Sequence, residues 1–558
     1  MLTDGRSIPT NSVLVVDLCI IGGGPAGLTI AQELARPGID ILLLERGDVT
    51  EEPDADLTSD LEFESPNFPS PALALHNQFG GMAAIWNCLL PDGVTHAARY
   101  LPLDPIDFET RDWVPHSGWP ITFDQMAPYY DRARTWCGIA SFDFHGPLPD
   151  SGRTPLSSPS GALLTRLDQF GPATAFTRQP LVQLTKSGHV QVVTNATAVQ
   201  VMSGDGADDG MAETSVRAHG GTPFTVRSRF VVVAGGAIEN ARLLLNSTAQ
   251  CPAGLGNDFD NVGRFFMDHP RVSLGLGSPS PEGSTRAMDL YQLHMLEGQV
   301  FLGKLKLSDT VLRREELLNG NAEIFSNYRY NLPVPYYLSV PQREGLRSAF
   351  IALDSIKRRQ GLARVPEHLA SATRHAVPIA RYVSSRYLDR RSRPKLLEWT
   401  GAVRGSFELV YQPEQAPNHD NRVTLGQRRD ALGNRVARLD WRWSEIDVVS
   451  IRRVREILAS ELRASGLGDL VEPEDDTIHG IFGEVAPMTA HHHLGTTRMH
   501  DDPRQGVVDR DCRLHGSSSV YVAGGSVFPT GGYANPTLTV VALAVRLADE
   551  LKRAMPNA

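Results

Sequence analysis

At 558 residues the chain exceeds what one hydrophobic core supports, and two domains are expected. Its apolar and charged fractions are those of an ordinary globular protein. A formal charge of −10 excludes general nucleic-acid binding, which needs net positive surface to displace counterions.

Residues 1–12 are polar and carry neither a twin-arginine pair nor an apolar signal core. Residues 13–30 are apolar, but Asp17, Pro25 and several glycines interrupt them. They read as strand, turn and helix rather than a membrane span, and no transmembrane segment is expected elsewhere. The five cysteines (Cys19, Cys88, Cys137, Cys251, Cys512) lie far apart. No CxxC or CxxCH spacing occurs, so zinc-ribbon, haem and iron–sulfur sites lack support. They read as reduced, mostly buried thiols, which points to a cytoplasmic protein.

The strand-length run 15–21 leads into Gly22-Gly23-Gly24-Pro25-Ala26-Gly27, after which Leu28, Ala31, Leu34 and Ala35 recur at helical spacing. Gly22 permits the tight turn, Gly24 lets the backbone approach a pyrophosphate, and Gly27 lets the helix lie close on the strand. The helix start then offers unpaired N–H groups to phosphates. Residues 41–44 form the next strand and end at Glu45, placed to accept from ribose hydroxyls, with Arg46 beside it. This pattern predicts a dinucleotide site without separating FAD from NAD.

Further along, Gln78-Phe79-Gly80-Gly81-Met82-Ala83-Ala84-Ile85-Trp86-Asn87 is a second glycine-bearing loop. Residues 190–201 alternate like one strand. Residues 230–233 form a buried strand running into Ala234-Gly235-Gly236-Ala237 and a helix. Residues 409–412, 423–425 and 439–443 are strand-like. Residues 444–464 read as a helix with Ile446, Val449, Ile451, Val454, Ile457, Leu458 and Leu462 on its apolar side. Residues 520–522 form another apolar strand, ending in Gly524-Gly525.

Together with Ser117-Gly118-Trp119-Pro120, Val262-Gly263-Arg264, Met267-Asp268-His269-Pro270, His492-His493-Leu494-Gly495-Thr496-Thr497-Arg498-Met499 and Tyr533-Ala534-Asn535-Pro536-Thr537, these segments resemble the glucose–methanol–choline (GMC) flavoprotein oxidoreductases from end to end. The pyranose-oxidase-like branch, with bacterial glycoside 3-oxidases, is the most similar part of the family. The resemblance implies an α/β plus α+β fold: a Rossmann-like FAD-binding domain and a substrate domain on an antiparallel sheet flanked by helices. It assigns residues 1–110, 185–270 and 484–558 to the first domain, and 111–184 and 271–483 to the second.

By the same resemblance the cofactor is FAD. Gly22, Gly24, Gly27, Glu45 and Arg46 hold its ADP half, Ala198 faces the adenine, and Ala234 ends the neighbouring strand. Gly80, Gly81, Met82 and Asn87 line the flavin and its linker. Gly525 and Ser526 approach the pyrophosphate or ribityl chain, and Pro536 and Thr537 open the last helix. Some pyranose oxidases bind flavin covalently through a threonine–histidine–tryptophan loop; here Ala84-Ile85-Trp86 stands instead, so the FAD is expected to be non-covalent.

Oxidising an alcohol removes a hydroxyl proton and a hydride from the same carbon. Flavin N5 takes the hydride, and an imidazole suits the proton because its ordinary pKa lies near neutrality. The resemblance makes His492 that base and Asn535 the group that orients the substrate oxygen. In an extended segment His491 and His493 point opposite to His492. A metal site is disfavoured because no acid accompanies these histidines in sequence.

The expected reaction is oxidation of a secondary hydroxyl of a pyranose sugar or glycoside, at C3 or alternatively C2. Oxygen, a quinone or a protein is the electron acceptor, and homo-oligomerisation is left open. Rival readings are oxidation of a non-sugar alcohol and a flavin-containing lyase. Residues 343–395 are basic and read as a partly helical insertion broken near Pro366 and Pro378. A solvated or oligomer-facing surface is favoured there over an acceptor dock, a gate or a lipid-facing patch.

Overall fold

A computed structural model describes residues 1–50, 61–63, 76–84, 88–89, 95–140, 144, 155–156, 158–172, 174–205, 207, 209–279, 289–291, 293–296, 299–325, 366, 369–370, 407–471 and 488–555. Apart from residues 366, 369 and 370, the basic segment 343–395 lies outside these, as do Ile85, Trp86 and Asn87.

Two large sheets organise the molecule. The first has eight strands. Leu2–Asp4, Val190–Thr194, Ile41–Leu44, Val13–Ile21 and Pro223–Val233 run parallel in that order, and Val520–Val522 extends the last of them. Ala212–Ala218 and Ala196–Met202 add an antiparallel flank. Strands covered on both faces become continuously apolar: all of Ile41–Leu44 is buried, as are the last four residues of Val13–Ile21.

The expected single strand over residues 190–201 is instead two strands on opposite sides of the sheet. Asn195 separates them, with φ at 55°, a left-handed conformation that Asn tolerates better than most residues. The chain can therefore leave one position in the sheet and enter another.

The second sheet has ten strands, all antiparallel to their partners. Its centre is built from Pro270–Pro279, Phe407–Pro413, Gly320–Phe325, Gln299–Leu307 and Leu163–Pro172. Thr95–Tyr100, which the sequence division grouped with residues 1–110, is a strand of this sheet.

The runs near 423–425 and 439–443 do not join it. Arg422–Arg429 pairs with Arg435–Asp440, which in turn pairs with Leu61–Phe63, in a separate small sheet. The helix Glu445–Ala464 is capped by Ser444 and Asp447 in a capping box. Ile451, Val454, Leu458 and Leu462 are buried along it. Val449 is 52 % exposed, because the buried stripe turns toward Asp447 and Ser450 instead.

One hydrophobic core lies around the first sheet and a second under the ten-stranded sheet. The helices Phe123–Cys137 and Thr537–Ala554 are joined by Tyr130 Oη and Thr539 Oγ1, 2.9 Å apart. No helix among the described residues is long and apolar enough to cross a membrane.

Candidate active site

The parallel strands end at a cavity enclosing about 1450 Å³, its open mouth included. Local packing at its floor explains the glycines. Gly22 has φ of 111°, and a methyl there would stand 2.5 Å from the Ala234 carbonyl oxygen. Only glycine lets these two strand ends come so close. A methyl on Gly27 would meet Gly22 O at 2.1 Å, so Gly27 serves the turn and does not line the cavity. Gly24 is different: a methyl would meet nothing within 4 Å, because it would project into the cavity.

Three helices begin at this space: Pro25–Leu34, Ala237–Asn246 and Thr537–Ala554. None has a side-chain hydrogen bond at its N-cap. Their first N–H groups therefore remain for an anionic ligand, which the helix dipoles also favour. Glu45 is buried at the end of Ile41–Leu44. Its Oε2 accepts from Gly23 N and its Oε1 from Gly47 N, both at 2.8 Å. Burial raises its pKa to about 7, outweighing those two bonds and the nearby Arg46.

Of the residues expected to hold a cofactor, Gly22, Gly24, Glu45, Arg46, Gly81, Met82, Ala198, Ala234, Gly525, Pro536 and Thr537 line the cavity. Gly80 stands behind it, donating its N–H to Gly23 O at 2.8 Å. Ser526 is also withdrawn, and its hydroxyl accepts from Asn240 Nδ2 at 2.8 Å. Asn240 was not singled out from the sequence. It joins two glycine turns, accepting from Gly235 N at 2.7 Å and donating to Ala523 O at 3.1 Å.

The histidine segment forms the opposite wall, with His491, His492 and His493 all lining the cavity. Its register is fixed against residues 267–269 by Leu494 N to Met267 O at 2.9 Å and Met267 N to Leu494 O at 3.1 Å. Asp268 Oδ1 accepts from the backbone N–H of both His269 and His492, each at 2.7 Å. This pairing sets His269 Nδ1 2.9 Å from His492 Nδ1.

His491 adopts φ of 55°, so the segment is not fully extended. Its ring nevertheless sits with that of His493, centroids 6.3 Å apart, while His492 turns to His269. Asp268, His491 and His493 offer donor atoms within 4.8 Å of one another. An acid does accompany the histidines: the fold supplies Asp268 from more than 220 positions away.

Burial lowers the pKa of His492 well below its ordinary value, assisted by His269, His491, Arg271 and Lys304. Burial likewise holds His269 down to about 4, against the pull of Glu414 and the Gly532 and Gly531 backbone. Both rings are neutral at pH 7. His269 is a site residue that sequence reasoning missed, although Met267-Asp268-His269-Pro270 was already visible as a motif. Asn535 is half-buried one residue before the cap of the last helix. It makes no hydrogen bond among the described residues, and its neighbours Pro536 and Thr537 line the cavity in its place. The segment before it is anchored by Trp119 Nε1 to Thr530 Oγ1 at 2.8 Å and by Gln412 Nε2 to Tyr533 O at 2.7 Å.

These features fit FAD: a glycine turn open toward a diphosphate, a buried carboxylate for a ribose, and three uncapped helix starts around one cavity. Comparisons with known proteins agree. Residues 417–544 match the GMC oxidoreductase family model and residues 15–59 an FAD binding domain. Paromamine 6'-oxidase of Streptomyces fradiae is 25 % identical over 96 % of this chain and 91 % of its own. A C-glycoside 3-oxidase of Arthrobacter globiformis is 42 % identical over a shorter stretch, 13 % of this chain and 15 % of that one. Among solved structures, pyridoxine 4-oxidase from Mesorbium loti aligns with a TM-score of 0.54 at 16 % identity, over 96 % of this chain and 99 % of that one. The two family matches fall on the segments that build the cavity from either end, and the fold agrees over nearly the whole chain: the chain carries an FAD-binding domain and a GMC oxidoreductase C-terminal domain.

Proposed function

We propose that the enzyme oxidises a secondary hydroxyl of a pyranose sugar or glycoside to a ketone, at C3 rather than C2, with FAD held non-covalently. The observation that carries this reading is His492, a neutral imidazole on the wall of the FAD cavity with its Nδ1 engaged by His269. With Nδ1 so engaged, Nε2 is the ring nitrogen left to face a substrate, and we assign it the substrate proton. A weak base suffices, because the hydroxyl becomes strongly acidic as hydride leaves its carbon. When bound, FAD supplies the hydride acceptor.

Asn535, next to the lining residues Pro536 and Thr537, is assigned by the family resemblance to orient the substrate oxygen, which requires its amide to turn toward the cavity. The uncapped start of Thr537–Ala554 brings a partial positive charge to the same end of the cavity. The choice of a sugar, and of position 3, draws support from the stretch shared with a C-glycoside 3-oxidase.

The test is an anaerobic visible spectrum of the holoenzyme before and after adding glucose, simple glucosides and plant glycosides. Bleaching of the flavin is expected. Substrates deuterated at C3 should bleach more slowly than those deuterated at C2. Equal rates would overturn the position, and a spectrum unchanged by every sugar would overturn the substrate class.

A further inference from the structure

The wall that carries His492 holds a second arrangement, which the proposed oxidation leaves unused. Asp268, His491 and His493 each present one donor atom, and the three atoms all lie within 4.8 Å of one another. Oδ2 of Asp268 stands 3.8 Å from His493 Nε2. A tetrahedral ion with bonds of about 2.0–2.2 Å sets its ligands roughly 3.4 Å apart. Drawing these donors onto one ion therefore takes shifts of about 1 Å, within reach of side-chain rotation.

Each ligand is held from behind. Asp268 is fully buried, and its other oxygen, Oδ1, accepts from the backbone N–H of His269 and of His492. Its own N–H donates to Gln415 Oε1 at 2.9 Å. That division suits a ligating carboxylate, which is itself oriented by hydrogen bonds. The ring of His493 packs against Phe266, with centroids 5.3 Å apart. His491 reaches the cluster through its left-handed backbone, a conformation that histidine adopts more readily than most residues. The two rings stand nearly perpendicular, at 89°, and both line the cavity, through which an ion can reach them.

The donor set selects the ion. Two imidazoles and one carboxylate suit zinc, copper, nickel or cobalt, whereas magnesium and calcium prefer shells of oxygen. Three protein ligands leave a fourth position for water. The ligands also come from two segments, residue 268 on one side and residues 491 and 493 on the other. An ion held by all three joins those segments and stabilises the fold that binds it.

We propose that Asp268, His491 and His493 form a site for one divalent transition-metal ion of the zinc class, which staples the histidine segment to residues 267–269. The site stands whichever group serves as the catalytic base, because His492 is not among its ligands.

The experiment takes holoenzyme stripped by a chelator and equilibrates it with zinc sulfate by dialysis, counting bound zinc per FAD. One zinc per FAD is expected in wild type and in His492→Ala, and excess magnesium should displace none. Affinity should fall at least about 100-fold in His491→Ala and in His493→Ala, since removing even an outer partner of a ligand costs 10–100-fold. Asp268→Asn should lose zinc as well, but it also disturbs the backbone that Asp268 ties, so the two histidine variants decide. Zinc should raise the thermal midpoint of wild type and leave that of His491→Ala unchanged. Cobalt in place of zinc should give visible bands to the red of the flavin in wild type and none in His491→Ala.

No zinc on wild type at millimolar concentration would overturn the proposal, as would a midpoint that zinc does not move. Equal affinity in wild type and either histidine variant would do the same. Loss of zinc in His492→Ala would also overturn it, by placing the ion on the His492–His269 pair. None of these readouts needs a substrate, so they stand apart from the test of the sugar reading.

Discussion

Replacing Glu45 with glutamine tests the FAD cradle at its only buried carboxylate among the lining residues. The wild-type carboxylate uses Oε2 for Gly23 N and Oε1 for Gly47 N, at 2.8 Å each. Glutamine supplies one oxygen, and its NH₂ confronts whichever N–H remains. Leaving a buried donor unpaired costs about 1–3 kcal/mol, and losing a hydrogen bond from ribose to a charged oxygen a further ~1.5–3 kcal/mol. The second loss falls on affinity, so FAD should bind roughly 10- to 100-fold more weakly.

The pH dependence follows from the raised pKa of about 7. Ribose hydroxyls donate, so FAD binds the ionised form, and at lower pH a proton must first be lost. Wild-type affinity should therefore fall by up to about tenfold per unit below pH 7 and level off above it. In Glu45→Gln that dependence should vanish. Titrating apoprotein with FAD, followed by quenching of flavin fluorescence from pH 5.5 to 8.5, measures both effects. A Glu45→Gln affinity within twofold of wild type, or an unchanged pH profile, would refute the assigned role.

Gly27→Ala should lower the thermal midpoint and FAD content together, because its methyl would overlap Gly22 O; overpacking of this kind costs about 1–3 kcal/mol. A variant with full flavin and an unchanged midpoint would contradict the packing argument. Arg111→Met should destabilise by about 3–5 kcal/mol, because Arg111 and Glu414 form a fully buried pair 2.6 Å apart and the carboxylate would be stranded. In chemical denaturation, Arg111→Met with Glu414→Leu should recover most of that loss; a double variant no better than the single would deny the pairing. Acid precipitation should leave FAD in the supernatant, whereas a yellow pellet would show a covalent bond.

Features coded by neighbouring residues were legible in the sequence. The strand, Gly22–Gly27 turn and helix declared themselves because glycine spacing, a proline at the helix start and apolar periodicity coincide within twenty residues. The helix after Ser444 was readable from its apolar repeat. Features coded by distant pairing were not. Nothing local says that Asn195 turns one apparent strand into two, or that residues 422–440 leave the large sheet for a small one. The site divides in the same way. His492 and Asn535 stood out in short motifs, while the carboxylate of Asp268 and the ring of His269 reach His492 only through strand register. Gly27, Gly80 and Ser526 were placed among the cofactor contacts, and they stand behind the lining, Gly27 against Gly22 O, Gly80 donating to Gly23 O and Ser526 accepting from Asn240.

The most direct test of the central claim is the rate of anaerobic flavin reduction in wild type and His492→Ala, measured by stopped flow with the sugar that bleaches the wild-type enzyme. The account predicts equal FAD content and reduction slowed about 10²–10⁴-fold, the range for a lost general base. Reduction within twofold of wild type would contradict it, and the proton would then have to leave by a group other than His492.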